Sequence, residues 1–256
     1  MTLPVGLDEF LRGDGPLHAA VLADLDGCLI SGGQLLPYAA DLFARCGERV
    51  WIVSNNSTDT AQGLALRLSS LGLPMTAARC LLAGEETLRT LALEKPGARV
   101  ALFASAPLHR LAVVLGLVPD MDRPDVVLLA RDIGFGFDSL TRLIALAYRG
   151  LEVWLTNPDP SHPAPDGTPV PETGSLWAAV SAAVPGARVR CLGKPAPDLP
   201  ARALMRAGVA PADAIFIGDT PETDGASAQA AGVAFVLLHR PGHRQPIFHD
   251  QEERAC

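Results

Sequence analysis

Short apolar runs punctuate the chain at residues 19–25, 50–53, 99–103, 125–129, 152–155, 214–217 and 233–238. Their hydrophobicity is continuous rather than alternating, which predicts strands covered on both faces, as in a parallel sheet. Stretches with helical spacing lie between them. Over 58–71, Leu64, Leu68 and Leu71 share one face, Asp59 and Gln62 have the spacing of a capping box, and Gly72 suits the stop. Residues 201–207 and 226–231 repeat the pattern, each followed by a glycine, Gly208 and Gly232. Strand, helix and strand in repetition predict an α/β fold.

The middle of the chain, from about 82 to about 184, carries its own strand and helix candidates, enough for a separate unit. Toward its end comes a proline- and glycine-rich stretch, 157–174. So many prolines exclude a helix interior or a central strand and predict a long shaped loop. Residues 241–256 read as a polar tail outside the packing.

Composition narrows the picture. Of 256 residues, 48% are hydrophobic and 19% charged, enough to bury a sizeable core. A net charge of -7 argues against a broad nucleic-acid surface. No apolar run reaches membrane-span length and no signal peptide stands at the start, so a cytoplasmic protein without membrane partners is expected. Five scattered cysteines without a C-x-x-C pair predict reduced thiols rather than a zinc site or a disulfide framework.

Candidate chemistry sits at the ends of the apolar runs. Asp24-Leu25-Asp26-Gly27 follows the first. Two carboxylates at i and i+2 point to one side of an extended backbone, and Gly27 allows a sharp turn beyond them. One can attack phosphorus while the other exchanges a proton with the leaving oxygen and then with water. Gly27 comes too early for a calcium loop. Ser54-Asn55-Asn56-Ser57, before a helix, is either an anion cradle or a simple cap and turn. Gly193-Lys194-Pro195 offers one fixed positive charge and is not a P-loop, because no Ser or Thr follows Lys194. Asp219 and Asp224, in the segment after 214–217, bring two more carboxylates. Four carboxylates cannot share a pocket ionised without a compensating cation, for which Mg²⁺ with Lys194 is the expected answer.

In this order the motifs resemble those of the haloacid dehalogenase superfamily of phosphatases. Asp24 to Gly27 match its first motif, Ser54 its second, Lys194 its third, and Asp219 with Asp224 its fourth. Asn157-Pro158-Asp159 and Gly193-Lys194-Pro195 resemble the class IIA branch of p-nitrophenyl phosphatase-like, phosphoglycolate and pyridoxal phosphate phosphatases. Cys28 stands where that family usually has Thr or Val. The resemblance implies a Rossmann-like parallel-sheet core (1–82 and 184–256) with an inserted α/β cap (83–183). It implies that Asp24 is nucleophile and Mg²⁺ ligand. Asp26 is the general acid/base, with its carbonyl on the metal, and Asp219 is a further ligand. Asp224 orients the metal's waters or Lys194. Ser54, Asn55 and Asn56 hold phosphate, and Lys194 neutralises nucleophile and phosphoryl charge. His162, in Asp159-Pro160-Ser161-His162-Pro163, stands where pyridoxal phosphatases use a histidine on the substrate, and a surface-loop histidine is the equal alternative. Pairing of two copies through the cap is also implied.

The expected activity is hydrolysis of a small phosphorylated metabolite through an aspartyl-phosphate. Two alternatives stay open: a phospho-ligand-binding protein of the same fold without turnover, and a phosphotransferase or mutase.

Overall fold

The computed structural model describes residues 4–164 and 168–239. The expected tail at 241–256 lies outside the described residues. The chain opens with helix α1 (Leu7–Arg12), strand β1 (Ala20–Ala23) and the hairpin β2 and β3 (Ile30–Ser31, Gln34–Leu35). Helix α2 (Ala39–Cys46) leads into β4 (Val50–Ser54), and α3 (Ala61–Ser70) into β5 (Cys80–Leu82). Helix α4 (Ala83–Glu94) carries the chain into a second unit of β6 (Arg99–Phe103), α5 (Ala106–Val114), β7 (Val118–Pro119) and β8 (Val126–Leu129). That unit continues through α6 (Phe137–Tyr148), β9 (Val153–Leu155), the ribbon β10 and β11 (Ser161–Pro163, Pro169–Pro171), α7 (Thr173–Ala183) and β12 (Val189–Cys191). Helix α8 (Asp198–Ala207), β13 (Ala214–Gly218), α9 (Ala226–Ala230) and β14 (Ala234–Leu237) return to the first unit.

Two five-stranded parallel sheets result, ordered β14-β13-β1-β4-β5 and β12-β9-β8-β6-β7. Continuous apolarity has the predicted cause. In the first sheet Val21, Ala23, Ile52, Ile215 and Ile217 pack on one face with Leu42, Leu64 and Leu68. Ala20, Leu22, Trp51, Val53 and Phe216 pack on the other with Leu199, Ala203 and Ala228. Successive residues alternate faces, and helices cover both. The second sheet repeats this, with Val100, Leu102, Val126, Leu128 and Trp154 on one side and Ala101, Phe103, Val127, Leu129 and Val153 on the other.

Three expectations need correction. The return to the first unit at 184 comes too early, because β12 pairs with β9 and extends the second sheet to Cys191. Helix α3 is capped by Thr60, whose hydroxyl accepts from the Gly63 N–H at 3.1 Å, not by Asp59. The proline-rich stretch is not all loop. It contains the antiparallel ribbon β10–β11, and a two-stranded ribbon tolerates proline because each strand has a free edge. The two units are also joined between helices: Glu86 of α4, 1% exposed, takes the Arg206 guanidinium of α8 at 2.7 and 2.9 Å.

The packing gives a direct contrast within α3. Leu64 is wholly buried and Leu66 is 63% exposed. Leu64→Ala should lower the unfolding free energy by about 2–5 kcal/mol in urea titration. Leu66→Ala should change it by no more than about 0.5 kcal/mol.

Candidate active site

The two catalytic-type segments and the lysine meet at the carboxyl ends of β1, β4 and β13. Asp24 directly follows β1, and its N–H donates to the Ile217 carbonyl at 3.0 Å. The Lys194 ammonium, 2% exposed, donates to Asp24 Oδ1 and Asp224 Oδ1 at 2.6 Å each, and to the Val53 carbonyl at 3.0 Å. All three of its protons are therefore committed. Asp224 sits in a π-helical turn, Pro221–Gly225, and its second oxygen accepts from the Thr220 N–H at 3.1 Å. The carboxylates of Asp24, Asp219 and Asp224 offer oxygens that all lie within 4.8 Å of one another. Gly27 is obligatory beside them: its φ is +76°, and a Cβ there would lie 2.1 Å from Asp219 Oδ2.

Charge at this point is unbalanced. Three carboxylates face one ammonium, a surplus of two negative charges when all are ionised. Burial raises the pKa of Asp24 well above its usual range; Lys194 pulls it down, and Asp224 and Asp219 push it further up. Burial alone would depress Lys194, but Asp224 and Asp24 hold its pKa above the ordinary value, so it stays charged. Clustered, partly uncompensated carboxylate oxygens are the donor set that a hard divalent cation such as Mg²⁺ prefers, and the residues present fit that ion. Asp26 opens to the cleft although protein crowds it from most directions. Its desolvation raises its pKa against the lowering influence of Arg67, His162 and Lys194.

The Ser-Asn turn departs in part from expectation. Ser54, 3% exposed, ends β4, and its Oγ accepts from the Asn56 N–H at 3.1 Å, keeping its own proton to donate. The Asn55 side chain is fully engaged elsewhere. Its amide donates to Lys194 O at 2.9 Å and Asp159 Oδ2 at 3.0 Å, while its oxygen accepts from the Lys194 N–H at 2.7 Å. Holding an anion needs a donor, and both amide protons are spent, so this side chain positions Lys194 instead. Asn56 Oδ1 accepts from the N–H groups of Thr58 and Asp59 and shapes the turn.

The second unit supplies residues that no strand-end pattern had singled out for a role. Asn157, 1% exposed, donates to the Asn55 carbonyl at 2.9 Å, and Asp159 receives Asn55. Ser57 Oγ accepts from the Arg131 N–H at 3.1 Å and lies 3.3 Å from Thr173 Oγ1. Applying the strand-end rule to β9 as well as β1 points to Asn157 and Asp159; Ser57 and Thr173 carried no such signal. His162 and Asp26 lie near enough for each charge to influence the other's pKa. His162 Nδ1 lies 2.8 Å from Glu172 Oε1, and Arg131 Nε lies 3.3 Å from the same oxygen. Burial, opposed by Arg131, pushes Glu172 up to about 7.

Parallel strands that end together in carboxylates, with a buried lysine among them, place the chain in the class of α/β hydrolases built on aspartates. Family comparison makes the class specific. A haloacid dehalogenase-like hydrolase model matches residues 21–117, and an HAD-hydrolase-like model matches 191–254. Mouse chronophin is 34% identical over 232 residues, covering 85% of this chain and 79% of its own. A dihydroxyacetone phosphatase of Corynebacterium glutamicum is 29% identical over 242 residues, covering 93% and 85%. The glycerol phosphate phosphatase of Mycobacterium tuberculosis, solved in complex with magnesium, superposes with a TM-score of 0.78 at 30% identity, covering 87% of this chain and 68% of that one. The chain belongs to the haloacid dehalogenase-like hydrolases, in their class IIA branch of phosphatases. Among the described residues, no helix is long and apolar enough to cross a membrane.

Glu172 gives a stability prediction. Between its ordinary range and about pH 7, the folded state keeps a proton on Glu172 that the unfolded state has released. The unfolding free energy therefore falls as pH rises through that window. In Glu172→Gln the drop in melting temperature from about pH 5 to about pH 8, followed by circular dichroism, should be smaller than in the parent.

Proposed function

We propose that the protein is a magnesium-dependent phosphomonoesterase that acts on a small phosphorylated metabolite through an aspartyl-phosphate on Asp24. The observation that carries this reading is the Lys194 ammonium, bonded at 2.6 Å to both Asp24 and Asp224, with the Asp219 carboxylate in the same cluster. A surface lysine with three helix-cap acids would not converge in this way from separate strand ends.

Lys194 holds Oδ1 of Asp24 and leaves Oδ2 to attack phosphorus as the ester oxygen departs. Asp26, open to the cleft, gives the leaving oxygen its proton and later takes one from the water that cleaves the acyl-phosphate. The Ser54 hydroxyl, which keeps its own proton to donate, binds a phosphoryl oxygen. Asp24, Asp219 and the Asp26 carbonyl would hold Mg²⁺, with Asp224 steadying Lys194 beside them. When bound, the ion supplies positive charge to the phosphoryl oxygens. The second unit, extended to Cys191, serves as the cap that selects the leaving group. Support for small substrates comes from the relatives, named for dihydroxyacetone and glycerol phosphate chemistry. An acid/base carboxylate beside the nucleophile favours turnover over binding alone.

With p-nitrophenyl phosphate, the parent protein should release phosphate in Mg²⁺ and stop when the metal is chelated. Asp24→Asn should show only background release, and Asp26→Asn should lose about 10²–10⁴-fold in kcat. Sustained turnover by Asp24→Asn would end the aspartyl-phosphate reading.

A further inference from the structure

The peptide that joins Asn55 to Asn56 is held at both ends. Its oxygen accepts from the Asn157 side-chain amide at 2.9 Å, and its N–H donates to Ser54 Oγ at 3.1 Å. Among the described residues these are the only hydrogen bonds that the group makes. A trans peptide is a rigid plane whose C=O and N–H point in opposite directions, so fixing the oxygen also fixes the N–H. Asn157 thereby acts on Ser54 through the plane without touching it.

Asn157 is itself locked in place. It follows β9 of the second unit and is 1% exposed. Its Oδ1 accepts from the Asp159 N–H at 3.1 Å, which turns the amide nitrogen toward Asn55. That nitrogen also donates to Thr173 Oγ1 at 3.4 Å, so both of its protons are committed. At the other end of the plane, the Asn56 N–H occupies a lone pair of the buried Ser54 hydroxyl, and the hydroxyl proton turns away from it. Without Asn157 the plane can rotate about its flanking bonds, and Ser54 loses the donor that sets the direction of its proton.

We propose that Asn157 is a positioning residue for phosphate: through the Asn55–Asn56 peptide it holds the Ser54 hydroxyl with its proton free for a phosphoryl oxygen. The inference rests on the role given to Ser54 above. It makes part of the phosphate site depend on the second unit, although Asn157 has no proton left to give the phosphate.

A double-mutant cycle tests this, with the affinity of the full chain for inorganic phosphate in Mg²⁺, measured by calorimetry, as the readout. The substitutions are uncharged, so no new charge repels the anion. Ser54→Ala should weaken phosphate binding by about tenfold or more, and Asn157→Ala by a comparable factor. In the Ser54→Ala background, Asn157→Ala should change the affinity by less than about twofold, because the hydroxyl through which it acts is gone. A general loosening of the turn would make the two losses multiply, and multiplied losses overturn the proposal. So does a folded Asn157→Ala protein that binds phosphate like the parent. If Asn157→Ala does not fold, Thr173→Val takes its place, because it removes the second acceptor of the same amide. It should give a smaller loss that vanishes in Ser54→Ala; no loss, or one that persists there, overturns the proposal. A parent that binds phosphate but releases none from p-nitrophenyl phosphate ends the phosphatase reading and leaves the cycle to decide the role of Asn157. A parent with no affinity for phosphate overturns the proposal.

Discussion

A lysine ammonium buried between two carboxylates is the interaction on which the remaining geometry depends. Taking such a charge out of water costs several kcal/mol by itself, and only well-placed counter-charges offset it. Lys194 has them: Asp24 from the end of β1, Asp224 from the turn after β13, and the Val53 carbonyl near the end of β4. Three strand ends are thereby gathered on one nitrogen. The Phe216 ring, 5.7 Å from that nitrogen, keeps the far side apolar. Removing any one partner would leave a buried charge uncompensated, so the arrangement is all-or-none rather than graded.

The surplus of negative charge follows from the same geometry. One ammonium cannot satisfy Asp24, Asp219 and Asp224, and Gly27 lets Asp219 come closer to the first strand's turn than any side chain would permit. A protein that only needed stability would have replaced one of these acids with an amide. Keeping all three makes sense when a divalent cation completes the balance, and the resulting field suits a phosphate dianion that arrives with or through that cation.

Much of this was legible in the sequence, and the reason is local. Strand residues buried on both faces read as unbroken apolar runs, and the polar residue that ends each run in a parallel sheet lies at its carboxyl edge. Asp24, Ser54 and Asp219 were identifiable by that rule alone. What the rule misses is partnership across distance. Nothing near Asn55 in the chain says that its amide is taken by Lys194 and Asp159, 139 and 104 residues away. The same holds for Ser57 with Arg131 and Thr173, and for Glu172 with His162 and Arg131. For strand β12 the sequence offered a short strand-like segment ending at Leu192 but not its sheet: Val189–Cys191 is three residues long and only partly buried, and its pairing with β9 is a partnership across distance.

The two halves of the site are held by different kinds of force, and this bears on how they work together. Each sheet keeps its own hydrophobic clusters, so among the described residues no shared core welds the units. Their meeting at the cleft is polar: Asn157 and Asp159 on Asn55, Arg131 and Thr173 on Ser57, and Ser105 on the Thr58 carbonyl at 2.6 Å. Hydrogen bonds of this kind exchange with water at little net cost, whereas apolar area does not. The charge centre joins both units, since Asp24 and Asp224 follow strands of the first sheet and Lys194 follows β12 of the second, while the Ser-Asn turn is bonded to residues of the second unit. Anything that draws the second unit away from the Ser-Asn turn would therefore break these hydrogen bonds without touching those of Asp24 and Asp224 to the Lys194 ammonium.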